Sequence, residues 1–200
     1  MTAGRVDGLR ALLLDPGEAE RLDAHGRTEA AVLMPMHGWP DHPGLVFTER
    51  RSDLRRHAGE ISFPGGRREP DESFLETALR EAEEEIGLSR ENVEIAGALP
   101  PIGTFVTNYK IHPFVGLIAE GMRFEPNPAE VESVLVASLD DLVAGYEKRR
   151  LVRRGVPIKT DTYLIGDNLI WGATARILAM LFERLAVTDE FRHHGPSIGT

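Results

Sequence analysis

The chain of 200 residues contains no cysteine and no long apolar segment. The absence of cysteine excludes disulfides, thiolate metal sites and thiol nucleophiles, and it fits the reducing environment of the cytoplasm, where we expect the protein to reside. No apolar run approaches the roughly 18 residues that a transmembrane helix needs, so no membrane span is expected. The apolar run at 11–14 is cut short by Asp15 and Pro16, which argues against a signal peptide.

Basic residues are fewer than acidic ones, and the net charge of −9 gives little support to binding of nucleic acid. The basic residues are nevertheless concentrated, because six arginines and one histidine fall between positions 50 and 68. Glutamates dominate the stretch that follows. A basic patch beside an acidic patch suits a metal-dependent site for a small anionic substrate, whereas two solvated faces are the simpler interpretation of charge runs in general.

Apolar periodicity predicts one α/β domain over residues 1–200. The turn-rich residues 37–44 lie between two short apolar runs and predict a hairpin. Helices are predicted at 73–86 and 171–185, after a helical extension at 1–28. The polar tail at 188–200 has the composition of a disordered segment. Strands are predicted at 30–36, 45–48, 93–99, 111–119, 131–137 and 157–165.

The helix predicted at 73–86 has clear signals at both ends. Asp71 or Ser73 can cap its N-terminus, and Gly87 stands where a glycine commonly ends a helix. One face of this helix is apolar and is assigned to the core. Its members are Leu75, Ala78, Leu79, Ala82 and Ile86.

Glu81, Glu84 and Glu85 lie on the flank of that apolar face, spaced so that their carboxylates are neighbours. Glu85 is closest to the apolar edge, where loss of solvation makes the charge expensive. Arg80 can reach Glu76 and Glu84 but cannot neutralise three acids. A divalent cation such as Mg²⁺ or Mn²⁺ can, since both prefer oxygen ligands. Judged on the helix alone, a solvated acidic face is slightly favoured over a metal site.

The residues around these acids form a longer pattern. Gly66 is followed after five residues by Glu72, and after seven more by the run REAEEEIGL at 80–88. This pattern resembles the Nudix box, with every position filled over residues 66–88. The resemblance implies a Nudix-type α/β/α sandwich with a mixed sheet and a loop-helix-loop catalytic motif. It also implies an enzyme that hydrolyses phosphoanhydride bonds with divalent metal.

The resemblance also implies roles for particular residues. Mg²⁺ or Mn²⁺ would be bound by Glu81, Glu84 and Glu85, together with the backbone carbonyl of Gly65. Metal ions would polarise the diphosphate and help to generate a hydroxide nucleophile. Glu81 is also a candidate general base.

Arg80 and Glu72 would support these acids in the implied site. Arg80 would orient the carboxylates, and Glu72 would hold the loop before the helix. Some members of the family use a further acid from a distant loop. Glu130 and Glu132 are the candidates for that role in this sequence.

A second resemblance lies upstream of the box, to the signature of coenzyme A pyrophosphatases. Val46 and Phe47 replace two leucines of that signature, and Arg51 replaces a serine. Residues 170–174 are similar to the start of the last helix in this subfamily. The matching positions are Thr48, Arg50, Arg55, Gly59, Phe63, Pro64, Gly65 and Gly66.

The signature implies that coenzyme A is cut to 3′,5′-ADP and 4′-phosphopantetheine. Arg50, Arg55, Phe63 and Gly66 are the predicted substrate-binding residues, because forked arginine donors match phosphate geometry. Phe63 with Pro64 fits a shaped turn better than a platform for a base. In the alternative interpretation, one or both arginines are structural and pair with nearby acids. Those acids are Asp53, Glu49 and Glu60.

Two other functions are consistent with parts of the sequence. A pyrophosphatase for ADP-ribose or another nucleoside-diphosphate-linked compound would use the same box without the upstream arginines. A regulatory domain that only binds its ligand would have lost acids of the box, yet all are retained. RNA decapping would need a basic groove, which the net charge does not favour.

Overall fold

The computed structural model describes residues 3–51, 59–104, 107–153 and 156–186. The strands are β1 (Thr28–His37), β2 (Gly44–Arg50), β3 (Ile61–Ser62), β4 (Gly65–Arg67), β5 (Glu94–Ala98), β6 (Ile102–Gly103), β7 (Tyr109–Leu117), β8 (Val131–Ser138), β9 (Tyr146–Arg153), β10 (Val156–Ile165) and β11 (Asn168–Trp171). The α-helices are α1 (Ala3–Arg10), α2 (Pro16–Arg21), α3 (Phe74–Ile86), α4 (Leu139–Ala144) and α5 (Gly172–Leu185). Within the described residues, no helix is long and apolar enough to cross a membrane.

A mixed sheet forms the centre of the fold, with the strand order β3-β2-β1-β7-β5. Strands β1 and β7 run parallel, in a register that begins at Thr28 with Tyr109 and ends at Met36 with Leu117. Strands β1 and β2 form an antiparallel hairpin in which Met36 is paired with Leu45. The predicted hairpin and the predicted mixed sheet are therefore confirmed.

One edge of β1 pairs with two different strands. Residues 30–32 pair with β4, whereas Met36 and His37 pair with β2. Strand β2 then diverges from β1 and pairs with β3 and β8. This divergence places Gly65 and Gly66 of β4 beside the middle of β1, where α3 packs over both strands.

The two faces of the sheet carry separate apolar layers, because side chains alternate along β1. Ala31 and Leu33 join a cluster with α3, and Met34 and Met36 join a cluster with α5. Burying one Leu or Ile side chain contributes about 1.5–3 kcal/mol, which exceeds the roughly 0.2–0.5 kcal/mol of repulsion between two neighbouring exposed acids on a helix. The apolar layer therefore holds α3 in place, and the predicted sandwich is confirmed. The helical members include Ala78, Ala82, Ile86, Ile177, Leu178 and Leu181.

Helix α3 begins and ends as its sequence predicts. Of the two predicted caps, Ser73 is the one used: its hydroxyl accepts from the Glu76 N–H at 3.1 Å, and the Glu76 carboxylate accepts from the Ser73 N–H at 2.8 Å. Gly87 ends the helix with φ 67°, a conformation that glycine adopts without strain. The capping box thus engages Glu76, which the sequence analysis had placed within reach of Arg80.

The region from α4 to β11 differs most from the sequence-based expectation. Only the strand at 157–165 and the helix at 171–185 were predicted there, whereas β9, β10 and β11 form a separate three-stranded sheet. Strand β9 was missed because its residues 147–150 are four charged residues in a row and leave no apolar alternation. At the N-terminus, α1 and α2 lie in the predicted helical segment. At the C-terminus, the tail at 188–200 lies outside the described residues.

His112 on β7 is a buried titratable group beneath the start of α3. It is 1% exposed, and its ring stacks on Phe74 with 3.7 Å between centroids and 17° between planes. Burial, aided by the charge of Lys110, lowers the pKa of His112 from 6.5 to about 4. The folded protein therefore holds this imidazole in its neutral form at neutral pH.

The lowered pKa of His112 predicts a loss of stability in acid. As pH falls from 6.5 to 4, the unfolded chain takes up a proton at this position and the folded chain does not, so the free energy of unfolding decreases. The decrease due to this residue should be roughly 2–4 kcal/mol. We expect His112→Phe, which preserves the ring stacking, to remove most of that dependence in urea unfolding at pH 4 to 7. The matched control is His42→Asn at an exposed position, and an unchanged pH dependence in His112→Phe would contradict the prediction.

Candidate active site

Two glycines of β4 allow close approaches: Gly66 to the acidic flank of α3, and Gly65 to the backbone of β1. A Cβ atom at Gly66 would lie 2.3 Å from the carboxyl carbon of Glu81, and one at Gly65 would lie 2.3 Å from the carbonyl oxygen of Ala31. No side chain fits at either position without displacing the strand or the carboxylate. The Gly65-Gly66 turn therefore forms a cradle for the acids, which accounts physically for two glycines at this point.

Arg80 is the centre of the hydrogen bonds around the acids. Its Nε donates to Glu72 Oε1 at 2.6 Å and its Nη2 donates to Glu72 Oε2 at 3.1 Å, which is the forked geometry that suits a carboxylate. Its Nη1 donates to Glu81 Oε1 at 3.0 Å and to Glu84 Oε2 at 3.1 Å. Nη2 also donates to the carbonyl oxygen of Arg67. One guanidinium thus ties the loop before α3 to two acids of the helix.

Glu72 is held as a charged carboxylate. The hydrogen bonds from Arg80 lower its pKa first of all, and the hydroxyl of Thr77 and the N–H of Glu69 also donate to it. The same bonds raise the pKa of Arg80 still further above its ordinary value, so the pair is ionised at any working pH. This ion pair fixes the loop to the helix.

Glu85 has a different environment from Glu72. It is 7% exposed, and its Oε2 accepts from the Gly65 N–H at 3.2 Å. Burial raises the pKa of Glu85 from 4.5 to about 8, with further contributions from the charges of Glu81 and Glu130. Burial likewise raises the pKa of Glu81. The two acids share a desolvated position in which negative charge is costly, and a divalent cation would offset that cost.

Glu84 completes the acidic flank on its outer side. Its side chain is 58% exposed and is engaged by Arg80. Among the described residues, no three histidine or acidic side chains are already gathered into a metal-holding group. Joint binding of one cation by Glu81, Glu84 and Glu85 would therefore need side-chain rotation, and the exposed position of Glu84 leaves it room to rotate. The oxygen donors and the glycine cradle fit a hard divalent cation.

Arg50 and Glu130 lie beside the same acids, although they come from β2 and from the turn before β8. Arg50 Nη1 is 3.9 Å from Glu130 Oε2. The charge of Glu130 raises the pKa of Glu81 and of Glu85, and the charge of Arg50 lowers the pKa of Glu85. Of the two candidates for a further acid, Glu130 is the one that the fold brings to the site. The sequence analysis did not propose it as the partner of Arg50.

The other predicted substrate residues have separate positions. Phe63 is 2% exposed and stacks on Phe47 with 4.7 Å between ring centroids, so its side chain belongs to the core. This burial fits the alternative of a shaped turn, and a substrate-binding role for Phe63 stays a prediction from the sequence. Gly66 lies under the Glu81 carboxylate. Arg55 lies outside the described residues.

Comparisons with known proteins identify the family. The NUDIX domain model matches residues 27–155. A relative from Pectobacterium atrosepticum, named as an uncharacterized Nudix hydrolase NudL, is 39% identical over 160 residues, which is 78% of this chain and 82% of the relative. The chain belongs to the Nudix family. A relative of the same name from Photorhabdus laumondii is 37% identical over 175 residues, which is 86% of this chain and 92% of that relative.

Solved structures of other Nudix proteins share the fold of this Nudix hydrolase. A MutT/nudix family protein from Enterococcus faecalis covers 86% of this chain with a TM-score of 0.55 and 16% identity, over 65% of its own chain. RenU from M. smegmatis covers 60% of this chain with a TM-score of 0.50 and 22% identity, over 74% of its own chain. The box at 66–88 lies within the matched region, and the chain is a pyrophosphatase of a family that uses divalent metal ions.

The raised pKa of Glu85 predicts that the metal-free protein becomes less stable as pH rises. As pH rises from 4.5 to 8, the unfolded chain ionises at this position before the folded chain does, so folding stability is lost over that range. Glu85→Gln has no charge to bury. In EDTA at pH 8 we expect it to raise the free energy of unfolding by roughly 1–3 kcal/mol, and at pH 4.5 to have little effect.

Urea unfolding of the two proteins at both pH values measures this difference. The control is Glu83→Gln, an exposed acid of the same helix, which should change stability little at either pH. A Glu85→Gln protein that is less stable than the parent at pH 8 would show that the buried carboxylate is compensated within the protein.

Proposed function

We propose that this Nudix pyrophosphatase hydrolyses the diphosphate of coenzyme A to 3′,5′-ADP and 4′-phosphopantetheine. Mg²⁺ or Mn²⁺ would be held by Glu81, Glu84 and Glu85 with the backbone carbonyl of Gly65. The observation that carries the metal site is the buried carboxylate of Glu85 beside the part-buried carboxylate of Glu81, against the glycine cradle. The match to the coenzyme A signature from Thr48 to Gly66 supports the substrate.

The acids of α3 have separate tasks in the proposed reaction. When bound, the cation would polarise the diphosphate and acidify the attacking water. Glu81 is the proposed acceptor of the water proton, because burial raises its pKa towards the range in which a general base is effective. Glu85 must lose its own proton to become a ligand, so binding of the cation should release protons. The water oxygen forms a bond to phosphorus, the bridging P–O bond breaks, and the second phosphate leaves with that electron pair.

Residues around the acids would hold the substrate and the ligands in place. Arg80 keeps Glu81 and Glu84 oriented while its fork holds Glu72. Arg50 is close enough to influence the pKa of Glu85, which supports a contact with the diphosphate. Glu130 is a second candidate for the proton acceptor, since it lies on the same side of the site. The assignment of Arg55 to the 3′-phosphate rests on the sequence alone.

A hydrolysis panel tests the proposed function directly. The protein would be incubated with Mg²⁺ or Mn²⁺ and coenzyme A, dephospho-coenzyme A or ADP-ribose, and the products identified by mass. We expect 3′,5′-ADP and 4′-phosphopantetheine from coenzyme A. Faster cleavage of ADP-ribose than of coenzyme A would contradict the substrate assignment and leave the Nudix chemistry intact.

The metal assignment predicts the effect of removing single carboxylates. Glu81→Gln and Glu85→Gln should each lower turnover by at least about a hundredfold, because charge stabilisation by a metal is worth several kcal/mol. Circular dichroism would establish that both variants are folded. Glu83→Gln on the same helix is the control and should keep the parental rate. Near-normal turnover of both variants at limiting metal would exclude these acids as ligands.

The proposed contacts of Arg50 with the diphosphate and of Arg55 with the 3′-phosphate predict two different effects on specificity. Arg50→Ala should reduce kcat/KM for coenzyme A and for dephospho-coenzyme A by similar factors, because both substrates contain the diphosphate that Arg50 is proposed to contact. Arg55→Ala should reduce only kcat/KM for coenzyme A, by about ten- to a hundredfold for a charge-assisted contact of ~1.5–3 kcal/mol. Steady-state kinetics on the two substrates gives both ratios. A selective loss in Arg50→Ala would instead place that arginine at the 3′-phosphate.

A further inference from the structure

Arg68 links the central sheet to the loop before α3. Its N–H donates to the carbonyl oxygen of Glu29 at 3.0 Å, which continues the pairing of β4 with β1 by one residue. Its Nε and Nη2 each lie 2.8 Å from Glu29 Oε2. Its Nη1 donates to the carbonyl oxygen of Glu72 at 2.6 Å. One side chain therefore spans from β1 to the main chain of Glu72.

The Glu29 end of this link is anchored in the sheet. Glu29 on β1 and Lys110 on β7 are register partners, and Lys110 Nζ is 3.0 Å from Glu29 Oε1. Lys110 is itself 3.1 Å from Asp23, and its side chain is 16% exposed. Lys110 first and Arg68 second lower the pKa of Glu29, so its carboxylate is charged at neutral pH. Arg68 thus takes its position from two strands of the sheet and not from the loop that it contacts.

The Glu72 end of this link meets the centre of the active site. Arg68 holds the main chain of Glu72, and Arg80 holds its carboxylate with two hydrogen bonds. The same guanidinium of Arg80 contacts Glu81 and Glu84. A shift of the Glu72 main chain would therefore move the fork of Arg80 and change the placement of two proposed metal ligands.

We infer that Arg68 is a positioning residue that, through Glu29 and Glu72, sets the affinity of the α3 acids for a divalent cation. This inference rests on the metal site of the proposed function. The geometry suits an arginine, because three nitrogens of one planar group reach the Glu29 carboxylate and the Glu72 carbonyl oxygen at once. A lysine at this position would have one donor atom in place of three and would not reproduce this spread of contacts.

Neighbouring Arg67 supplies a matched control. Its Nε donates to the hydroxyl of Tyr109 at 3.0 Å, away from Glu72. Only its carbonyl oxygen contacts Arg80, and a substitution of the side chain retains that atom. Arg67→Ala and Arg68→Ala therefore remove the same side chain from adjacent residues, but only the second breaks the link to Glu72.

The test is calorimetric titration of Mn²⁺ into the full chain without substrate. We expect Arg68→Ala to raise the Kd for Mn²⁺ by about three- to tenfold. Loss of a group that directly contacts a metal-binding residue typically weakens metal affinity by about ten- to a hundredfold, and Arg68 is one contact further away. Glu29→Gln should raise it by a similar factor, and the two changes combined should cost no more than the larger one. Arg68→Lys should recover only part of the loss. The Kd of Arg67→Ala for Mn²⁺ should lie within about twofold of the parental Kd.

Hydrogen exchange of the metal-free proteins gives an independent readout. Arg68→Ala and Glu29→Gln should both accelerate exchange of the amides at 69–73, whereas Arg67→Ala should not. The inference would be overturned if folded Arg68→Ala bound Mn²⁺ with parental affinity, whether or not its stability was lower. It would also be overturned if Arg67→Ala weakened Mn²⁺ binding as much as Arg68→Ala does. If Arg68→Ala does not fold, Glu29→Gln decides by the same criteria. A parent protein that does not bind Mn²⁺, or binds it equally well as Glu85→Gln, would overturn the metal proposal itself and this inference with it.

Discussion

The close approach of Glu81 to Gly66 is the constraint on which the rest of the site depends. The carboxylate occupies the space that a Cβ atom at position 66 would need, so any side chain there would have to displace the carboxylate of Glu81. The apolar layer beneath α3 presses the helix onto the sheet at this point, and burial of each large side chain outweighs the repulsion between neighbouring acids. Apolar packing thus holds the carboxylates together in a part-buried position that their mutual repulsion and loss of solvation disfavour.

The acids of the site differ in how far a cationic side chain compensates their charge. Arg80 neutralises Glu72 and contacts Glu81 and Glu84, so these carboxylates have a cationic partner. Glu85 accepts from a backbone N–H, and its pKa rises to about 8 as a result of burial. The least compensated acid is therefore also the most buried one. A buried carboxylate that is protonated in the free protein becomes a ligand only when a cation replaces the proton, and this couples metal binding to pH.

Local signals in the sequence predicted the helix of the box. The long-range contacts around that helix could not be predicted from the sequence. Ser73, the apolar stripe and Gly87 define α3 because capping and periodicity depend on residues a few positions apart. The contacts of Arg68 with Glu29 and of Arg50 with Glu130 join residues far apart in sequence, and no spacing rule links them. The coenzyme A signature gave Phe63 a role in binding, yet burial places its ring in the core. Strand β9 was missed because tertiary packing, and not alternation, makes it a strand.

The sign of the electric field supports the proposal that substrate and cation bind together. Among the described residues, five acids and two arginines face this site, so the metal-free cluster is net negative even with Glu85 protonated and repels an anionic diphosphate. The carboxylates involved are those of Glu72, Glu81, Glu84, Glu85 and Glu130, and the arginines are Arg50 and Arg80. In the proposed site, a bound divalent cation would add two positive charges beside the diphosphate and offset most of this repulsion. In the proposed complex, Arg50 and the cation would act on the same diphosphate, and Glu130 Oε2 lies 3.9 Å from Arg50. In the proposed reaction, the acids that repel phosphate in the metal-free protein are thus the groups that would bind it through the cation.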